Sequence, residues 1–224
     1  SRGLGDVYKR QHLRFWWRAC IAARYTTADD LFKAEETIWG STAVPGLLTV
    51  GVDTIDAGLE VSPQAPGQPG YALFPFQENR QKNTPMAYGR TGVSFRLRVG
   101  LGTVVDDGKR KEAAEAASAA VWAWLSFGGI GARTRRGCGS LFCDDARFRP
   151  DPRMAPAAWL RQIAERHVAK GSRSLPIPTL SGARLVAGRK TDAMQSWRRT
   201  VELMGEFRQA PVGRAHGRIP GRSH

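Results

Sequence analysis

A glycine- and arginine-rich segment at residues 128–141, GGIGARTRRGCGSL, holds the residue types best suited to binding an anion. Arg133, Arg135 and Arg136 stand close together between four glycines, at positions 129, 131, 137 and 139. Glycine allows backbone conformations closed to other residues and a close approach to a ligand. Guanidinium and backbone N–H groups together predict a phosphate cradle that suits a nucleic-acid backbone, with an arginine-rich surface turn as the alternative. The segment lacks the GxxxxGK[ST] pattern of nucleotide-binding loops.

The net charge supports a polyanionic partner. The 224-residue chain carries 34 Lys and Arg against 20 Asp and Glu, a formal net charge of +14. Residues 128–224 hold 19 of the basic residues and 7 of the acidic ones, so most of the excess lies in that part. Such a distribution is typical of proteins that bind nucleic acid. A generic basic protein with an arginine-biased composition is the alternative.

Two further segments present arginines on predicted regular elements. Residues 93–101 alternate as a strand, with Phe95 and Leu97 facing a core while Arg96 and Arg98 face outward. The pattern at 12–25 predicts an amphipathic helix that places Arg14 and Arg18 four residues apart on one face. The adjacent Trp16 and Trp17 point about 100° apart on such a helix. We expect both to pack in the core. The alternative is that one of them, assigned here to Trp17, stacks on a base or a partner subunit.

Catalytic and metal-binding residues are not predicted. His12 has the side chain most often used as a general base near neutral pH, but a histidine at a helix start is more often a polar cap. The pairs Asp106-Asp107 and Asp144-Asp145 are expected to be solvated turn residues. Cys20, Cys138 and Cys143 have neither disulfide nor zinc spacing, which favours a reducing, cytoplasmic setting. No signal peptide or membrane-spanning apolar run is present in the sequence.

The order of predicted elements is typical of an α+β domain with helices on one face of an antiparallel sheet. Helices are expected at 28–38, 109–127, 157–170 and 192–207, and short strands at 140–142 and 183–186. A ferredoxin-like domain opens with a strand, and residues 1–11 read poorly as one. We expect 1–11 to be non-native or disordered, 12–150 to form the first domain and 151–224 a partial second one.

Three segments carry a family resemblance: HLRFWWRA at 12–19, LFKAEETIWGS at 31–41 and GGIGARTRRGCGS at 128–140. In this order they closely resemble motifs of the RAMP superfamily of type III CRISPR systems, with particular similarity to the first subunit of the type III-B Cmr complex. Trp39 replaces a usual phenylalanine and Cys138 a usual aromatic residue. The ending GRIPGRSH resembles the start of a family segment that continues further.

The resemblance implies tandem ferredoxin-like, RRM-related domains, the second partial, and an RNA-binding subunit of an antiviral effector complex. Implied partners are crRNA, target RNA and other Cmr or RAMP subunits, with no cofactor and no enzymatic activity. A RAMP endoribonuclease that processes guide RNA or cuts target RNA is the alternative. The expected RNA-binding residues are Arg14, Trp17, Arg18, Arg96, Arg98, Gly129, Gly131, Arg133, Arg135, Arg136 and Gly137.

Overall fold

The computed structural model describes residues 2–102, 106–171, 174–185 and 192–209, without the side chains of 2–7 and 209. These residues form a mixed α and β structure with small antiparallel sheets, as the sequence predicts. The helices and strands, in chain order, are α1 Arg2–Ile21, α2 Ala28–Trp39, β1 Leu48–Asp56, β2 Leu59–Val61, α3 Gly70–Leu73, β3 Gly89–Thr91, β4 Ser94–Leu101, α4 Asp107–Phe127, α5 Pro156–His167 and α6 Ala193–Gln209.

The backbone divides into two compact units that interleave along the chain. Unit 1 consists of Ser1–Ile55, Phe95–Ile130 and Ser140–Ala187; unit 2 consists of Asp56–Ser94, Gly131–Gly139 and Gly188–His224. The predicted boundary near residue 150 does not coincide with this division. The assignment of residues 151–224 to a partial second domain stays a prediction.

The core of unit 1 lies where α1 packs along α4. Leu13 and Trp17 of α1, and Trp122 and Trp124 of α4, are almost fully buried. Alanines on α4 let the two helices approach closely, and the large indole rings fill the remaining space. The Trp124 Nε1–H donates to the Gly129 carbonyl oxygen at 3.3 Å, which ties the start of the glycine-rich segment to this core.

The residues of strand β4 lie on the two faces that the sequence predicts. Exposure alternates along it: Phe95 and Leu97 pack against the core, whereas Arg96 and Arg98 are exposed. Its neighbour is β1, and contacts from Leu47 to Gly102 and from Thr49 to Gly100 run antiparallel. Among the described residues this sheet has two strands, β1 and β4.

Unit 2 contains the second small sheet and the last helix. Strands β2 and β3 pair antiparallel, with Leu59 opposite Thr91 and Val61 opposite Gly89. The short helix α3 contacts α6. The Arg198 Nε of α6 donates to the Gly67 carbonyl oxygen at 2.6 Å, which joins this helix to the loop after β2.

The predicted helices are confirmed more closely than the short strands. Helix α2 begins after Thr27, whose hydroxyl accepts from the Asp30 N–H at 3.2 Å as an N-cap. Helix α1, in contrast, covers Arg2–Ile21 and includes residues that the sequence had suggested were disordered. The expected strand at 140–142 is wrong, and 183–185 are irregular as well, while residue 186 lies outside the described residues.

No helix among the described residues has the length and apolar character needed to cross a membrane.

Two half-buried histidines in unit 1 predict that stability depends on pH. His12 lies parallel to the Trp124 ring at 5.7 Å, and burial, aided by the charge of Lys9, lowers its pKa. Burial also lowers the pKa of His167, which contacts Trp122; the charge of Arg166 lowers it further. Both residues are thus favoured as neutral imidazoles in the folded state.

As the pH falls, the unfolded chain protonates these two histidines before the folded protein does. Their contribution to the free energy of unfolding is therefore complete above their ordinary pKa of about 6.5 and is lost as the pH falls below it. We expect the free energy of unfolding in urea to fall as the pH is lowered through this value. The His12→Gln/His167→Gln variant should show a smaller fall. An equal fall in the variant would assign the pH dependence to other groups.

Candidate nucleic-acid interface

The arginine-rich part of the glycine loop forms an ordered turn in unit 2. Thr134–Arg136 make one turn of 3₁₀-helix, closed by the Arg136 N–H bonding to the Arg133 carbonyl oxygen at 2.8 Å. Arg133 and Gly137, on either side, both have left-handed backbones, with φ of 63° and 77°. The three arginines are therefore presented from a defined backbone and not from a flexible one.

Arg133 is held at the base of this turn. Its Nε donates to the Ala72 carbonyl oxygen of α3 at 2.9 Å, and its guanidinium lies 5.6 Å from the centre of the exposed Phe74 ring. A cation over an aromatic face is an attractive contact. These contacts fix the guanidinium, and its two terminal nitrogens have no hydrogen-bond partner among the described residues.

Arg136 is partly buried beside other positive charges. Its Nε is buried without a hydrogen-bond partner in the described structure, and its carbonyl oxygen accepts from the Trp197 Nε1–H of α6 at 2.6 Å. Burial lowers the pKa of the Arg136 guanidinium, and the charges of Arg208, Arg133 and Arg135 lower it further; Tyr71 acts in the opposite direction.

These four arginines, which we call the arginine cluster (Arg133, Arg135, Arg136 and Arg208), lack acidic partners. Within the described parts of the chain, none of them forms an ion pair with a carboxylate. Arg136 is partly desolvated beside like charges, which is costly unless an anion neutralises them. The arrangement therefore fits an anionic ligand with several oxygens, such as the phosphates of a nucleic-acid backbone.

Two glycines of the turn offer a matched test of its geometry. Both have left-handed backbones, Gly131 at φ +89° and Gly137 at φ +77°, as the sequence suggested. A Cβ at Gly137 would lie 2.8 Å from Cδ1 of Trp197, whereas one at Gly131 would meet nothing within 4 Å.

We expect Gly131→Ala to lower the free energy of unfolding by about 1 kcal/mol, since only the backbone is strained. Gly137→Ala should cost about 2–3 kcal/mol because the clash with Trp197 is added. Urea unfolding of the two variants measures the difference. Equal losses would show that Trp197 does not pack on the turn.

The predicted arginine face on α1 is engaged within the protein. Arg14 Nε and Arg18 Nη1 both contact Oε1 of buried Glu35, at 2.5 and 2.6 Å. Arg14 Nη1 also donates to the Gly40 carbonyl oxygen at 3.0 Å. Both arginines therefore neutralise a buried carboxylate of α2. Their role in contacting RNA or a neighbouring subunit stays a prediction.

The assignment of Trp17 as a residue that stacks on a base is wrong. Trp17 is 3% exposed and belongs to the core of unit 1. Its neighbour Trp16 is half-buried and contacts Phe15 and Phe127. Both tryptophans therefore pack on the core of unit 1, as expected, and Trp17 is too deeply buried to stack on a base.

Three other predicted residues differ in their surroundings. Arg96 is exposed and forms no ion pair among the described residues, whereas Arg98 pairs with Asp53 of β1. Gly129 is buried and its carbonyl oxygen accepts from Trp124, so it anchors the loop. Arg96 thus stays available for a ligand, while Arg98 would have to share its guanidinium with a carboxylate.

Other reactive side chains form no cluster in the described structure. No group of three or more histidine, cysteine, aspartate or glutamate residues there could hold a metal ion. The three cysteines are free, and burial raises the pKa of the Cys20 thiol to about 12, which keeps it protonated. His12 belongs to unit 1 and the arginine cluster to unit 2.

Sequence reasoning missed Arg208, Trp197 and Arg10. Arg208 and Trp197 lie on α6, and Trp197 is 61 residues from the loop residue it contacts. The basic composition of the C-terminal part pointed to Arg208 only in general terms. Arg10 continues the four-residue spacing of Arg14 and Arg18, but it lay in the segment that the sequence excluded from the fold.

Comparison with models of known families shows to which family the chain belongs. The family model of the RAMP superfamily matches residues 12–142, more than half of the chain. The chain belongs to the RAMP superfamily. This confirms the resemblance carried by the three motifs and assigns the loop at 128–140 to the part that the family shares.

The fold of this RAMP protein is similar to that of a solved structure. It is similar to the crystal structure of Cmr1 from Pyrococcus furiosus in its apo form, with a TM-score of 0.66 and 17% sequence identity. The match covers 94% of this chain and 66% of that one, so the chain spans just under two thirds of the length of the Cmr1 chain. A comparison with curated proteins finds no match.

Proposed function

We propose that this chain is an RNA-binding subunit of a type III CRISPR effector complex, working in the cytoplasm with crRNA, target RNA and other RAMP subunits. Membership of the RAMP superfamily and the Cmr1-like fold support the proposal. The observation that carries it is the arginine cluster, in which the charges of three arginines act on Arg136 and none of the four pairs with a carboxylate among the described residues. RNA supplies the repeated negative charges that such a cluster needs.

The mechanism of binding follows from the geometry. Arg133 is fixed by Ala72 and Phe74, and the backbone of Arg136 is fixed by Trp197, so the turn is preorganised for its ligand. Preorganised donors lose little conformational freedom on binding. Contacts to phosphates carry no direct sequence information, so the protein positions an RNA strand whose sequence is read by base pairing or elsewhere.

The proposed role is binding without RNA cleavage. A nuclease needs a general base beside groups that stabilise the leaving oxygen. The candidate base His12 is stacked on Trp124, and its lowered pKa follows from burial. If instead purified protein cleaves RNA and His12→Ala abolishes the cleavage, the endoribonuclease alternative is favoured.

Fluorescence anisotropy with labelled single-stranded RNAs of different sequence tests the proposal. We expect similar affinities across sequences and a loss of roughly 20-fold between about 50 and 200 mM salt, corresponding to about three phosphate contacts on single-stranded RNA. Binding that is absent, or that does not change with salt, would contradict an interface made of arginines and phosphates.

A further inference from the structure

Unit 1 contains a cleft lined by residues of that unit alone. It lies between the middle of α1 and the turn that follows α2, with a volume of about 490 Å³. Its lining includes Arg10, Gln11, Arg14 and the turn Gly40-Ser41-Thr42. The lining contains two guanidinium groups and no carboxylate, so its charge is positive and uncompensated within the cleft.

Arg14 is oriented by the protein and still has donors left for a ligand. Its Nε contacts Glu35 and its Nη1 donates to the Gly40 carbonyl oxygen, while Nη2 has no other acceptor in the described structure. Glu35 also binds Arg18, so one carboxylate is shared by two guanidinium groups. One net positive charge therefore remains on the group formed by Arg14, Arg18 and Glu35.

Arg10 is bound far more weakly than Arg14. Among the described residues, its one hydrogen bond runs from Nη2 to the Leu48 carbonyl oxygen, at 3.4 Å. Ser41 adds a hydroxyl donor, because its Oγ accepts from the Ala43 and Val44 N–H groups, both at 3.1 Å, and its own hydrogen is left to donate. The cleft thus offers several donors to a ligand rich in acceptor oxygens.

The wall opposite α1 is preformed. Gly40 has a left-handed backbone with φ +76°, and a Cβ there would lie 2.6 Å from the Gly46 nitrogen and 2.9 Å from the Val44 oxygen. Only glycine fits this position, which fixes the turn that carries Ser41 and Thr42. The residues of a preformed cleft lose little conformational freedom when a ligand binds.

We propose that this cleft is a second anion site, which binds one phosphate group of a nucleotide through Arg10 and Arg14, with Ser41 as a further donor. Bidentate guanidinium–phosphate contact is the chemistry that two converging arginines favour. The volume lies in the range of small-molecule sites and accommodates a nucleotide unit. Such a unit can be part of an RNA strand or a free mononucleotide, and both present the same phosphate chemistry.

Titration of the full chain with adenosine 5′-monophosphate and with adenosine tests the site. We expect saturable binding of the monophosphate and none of adenosine. Arg10→Gln should weaken monophosphate binding about tenfold, since it removes a charged hydrogen-bond donor without touching the Glu35 pair. Arg24→Gln, which removes an exposed arginine outside the cleft, is the matched control and should change the affinity less than twofold.

The source of the phosphate is distinguished by competition. Displacement of the bound monophosphate by an unphosphorylated single-stranded RNA assigns the cleft to an RNA strand, and persistence of binding assigns it to a free nucleotide. The inference is overturned if adenosine binds as well as its monophosphate, or if Arg10→Gln and Arg24→Gln behave alike. It is also overturned if the Arg133→Ala/Arg135→Ala/Arg136→Ala variant loses monophosphate binding, a result that would leave the proposed function intact.

Discussion

Replacing Arg133, Arg135 and Arg136 together by alanine should weaken binding of single-stranded RNA by more than tenfold and by a similar factor for every sequence. Each lost phosphate contact should reduce the slope of log affinity against log salt by about 0.7, so the slope falls by about 2. The free energy of unfolding should change by only about 1 kcal/mol, because the lost contact of Arg133 with Ala72 is a single hydrogen bond. Anisotropy across a salt series and urea unfolding measure both effects.

The matched control removes the same number of charges elsewhere. Arg147, Arg149 and Arg153 are exposed, and two of them pair with Asp145 and Asp151. Their alanine variant should keep most of the affinity for RNA. An equal loss of RNA affinity in both triple variants would mean that binding depends only on the net charge of the protein. A loop variant that melts far below the wild type yet binds RNA normally would show that these arginines hold the fold together.

Removing Arg14 and Arg18 together should lower the free energy of unfolding by about 3–5 kcal/mol, because buried Glu35 is then left without a cation. Each single alanine variant should cost only about 1 kcal/mol, since the other arginine still neutralises the carboxylate. The losses are therefore expected to be strongly non-additive, as for residues that share one partner. Urea unfolding of the two single variants and the double variant measures the coupling.

Glu35→Gln provides the control for this ion-pair cluster. Added to the Arg14→Ala/Arg18→Ala variant, it removes the buried charge and should restore part of the lost stability. Two outcomes would contradict this account. The stability losses of the two single variants could add up to that of the double variant, or Glu35→Gln could restore no stability. Either would show that Arg14 and Arg18 do not neutralise the charge of Glu35.

Periodicity predicted the elements that pack one face on the core. The alternation of Phe95 and Leu97 with Arg96 and Arg98 placed both faces of β4 correctly. The sequence left Thr26 and Thr27 open as the cap of α2, and the structure shows Thr27 in that position. The apolar stripe of α1 also placed Trp16 and Trp17 on the core side, but it did not show that Trp17 is too deeply buried to stack on a base.

Partners distant in sequence account for the remaining errors. The four-residue spacing of Arg14 and Arg18 correctly put them on one face, but the sequence did not show that buried Glu35, 21 and 17 residues away, lies against that face. The left-handed glycines of the turn were expected from their chemistry. The contact of Trp197 with Arg136 depends on how α6 packs within unit 2, which local patterns do not encode.

Crosslinking of the full chain to single-stranded RNA carrying 4-thiouridine, followed by peptide mapping, tests the central claim most directly. The account predicts crosslinks within Gly131–Gly139 and near Arg208 at the end of α6, and their loss in the triple arginine variant. Crosslinks confined to other segments and unchanged in that variant would contradict an RNA interface built on the arginine cluster.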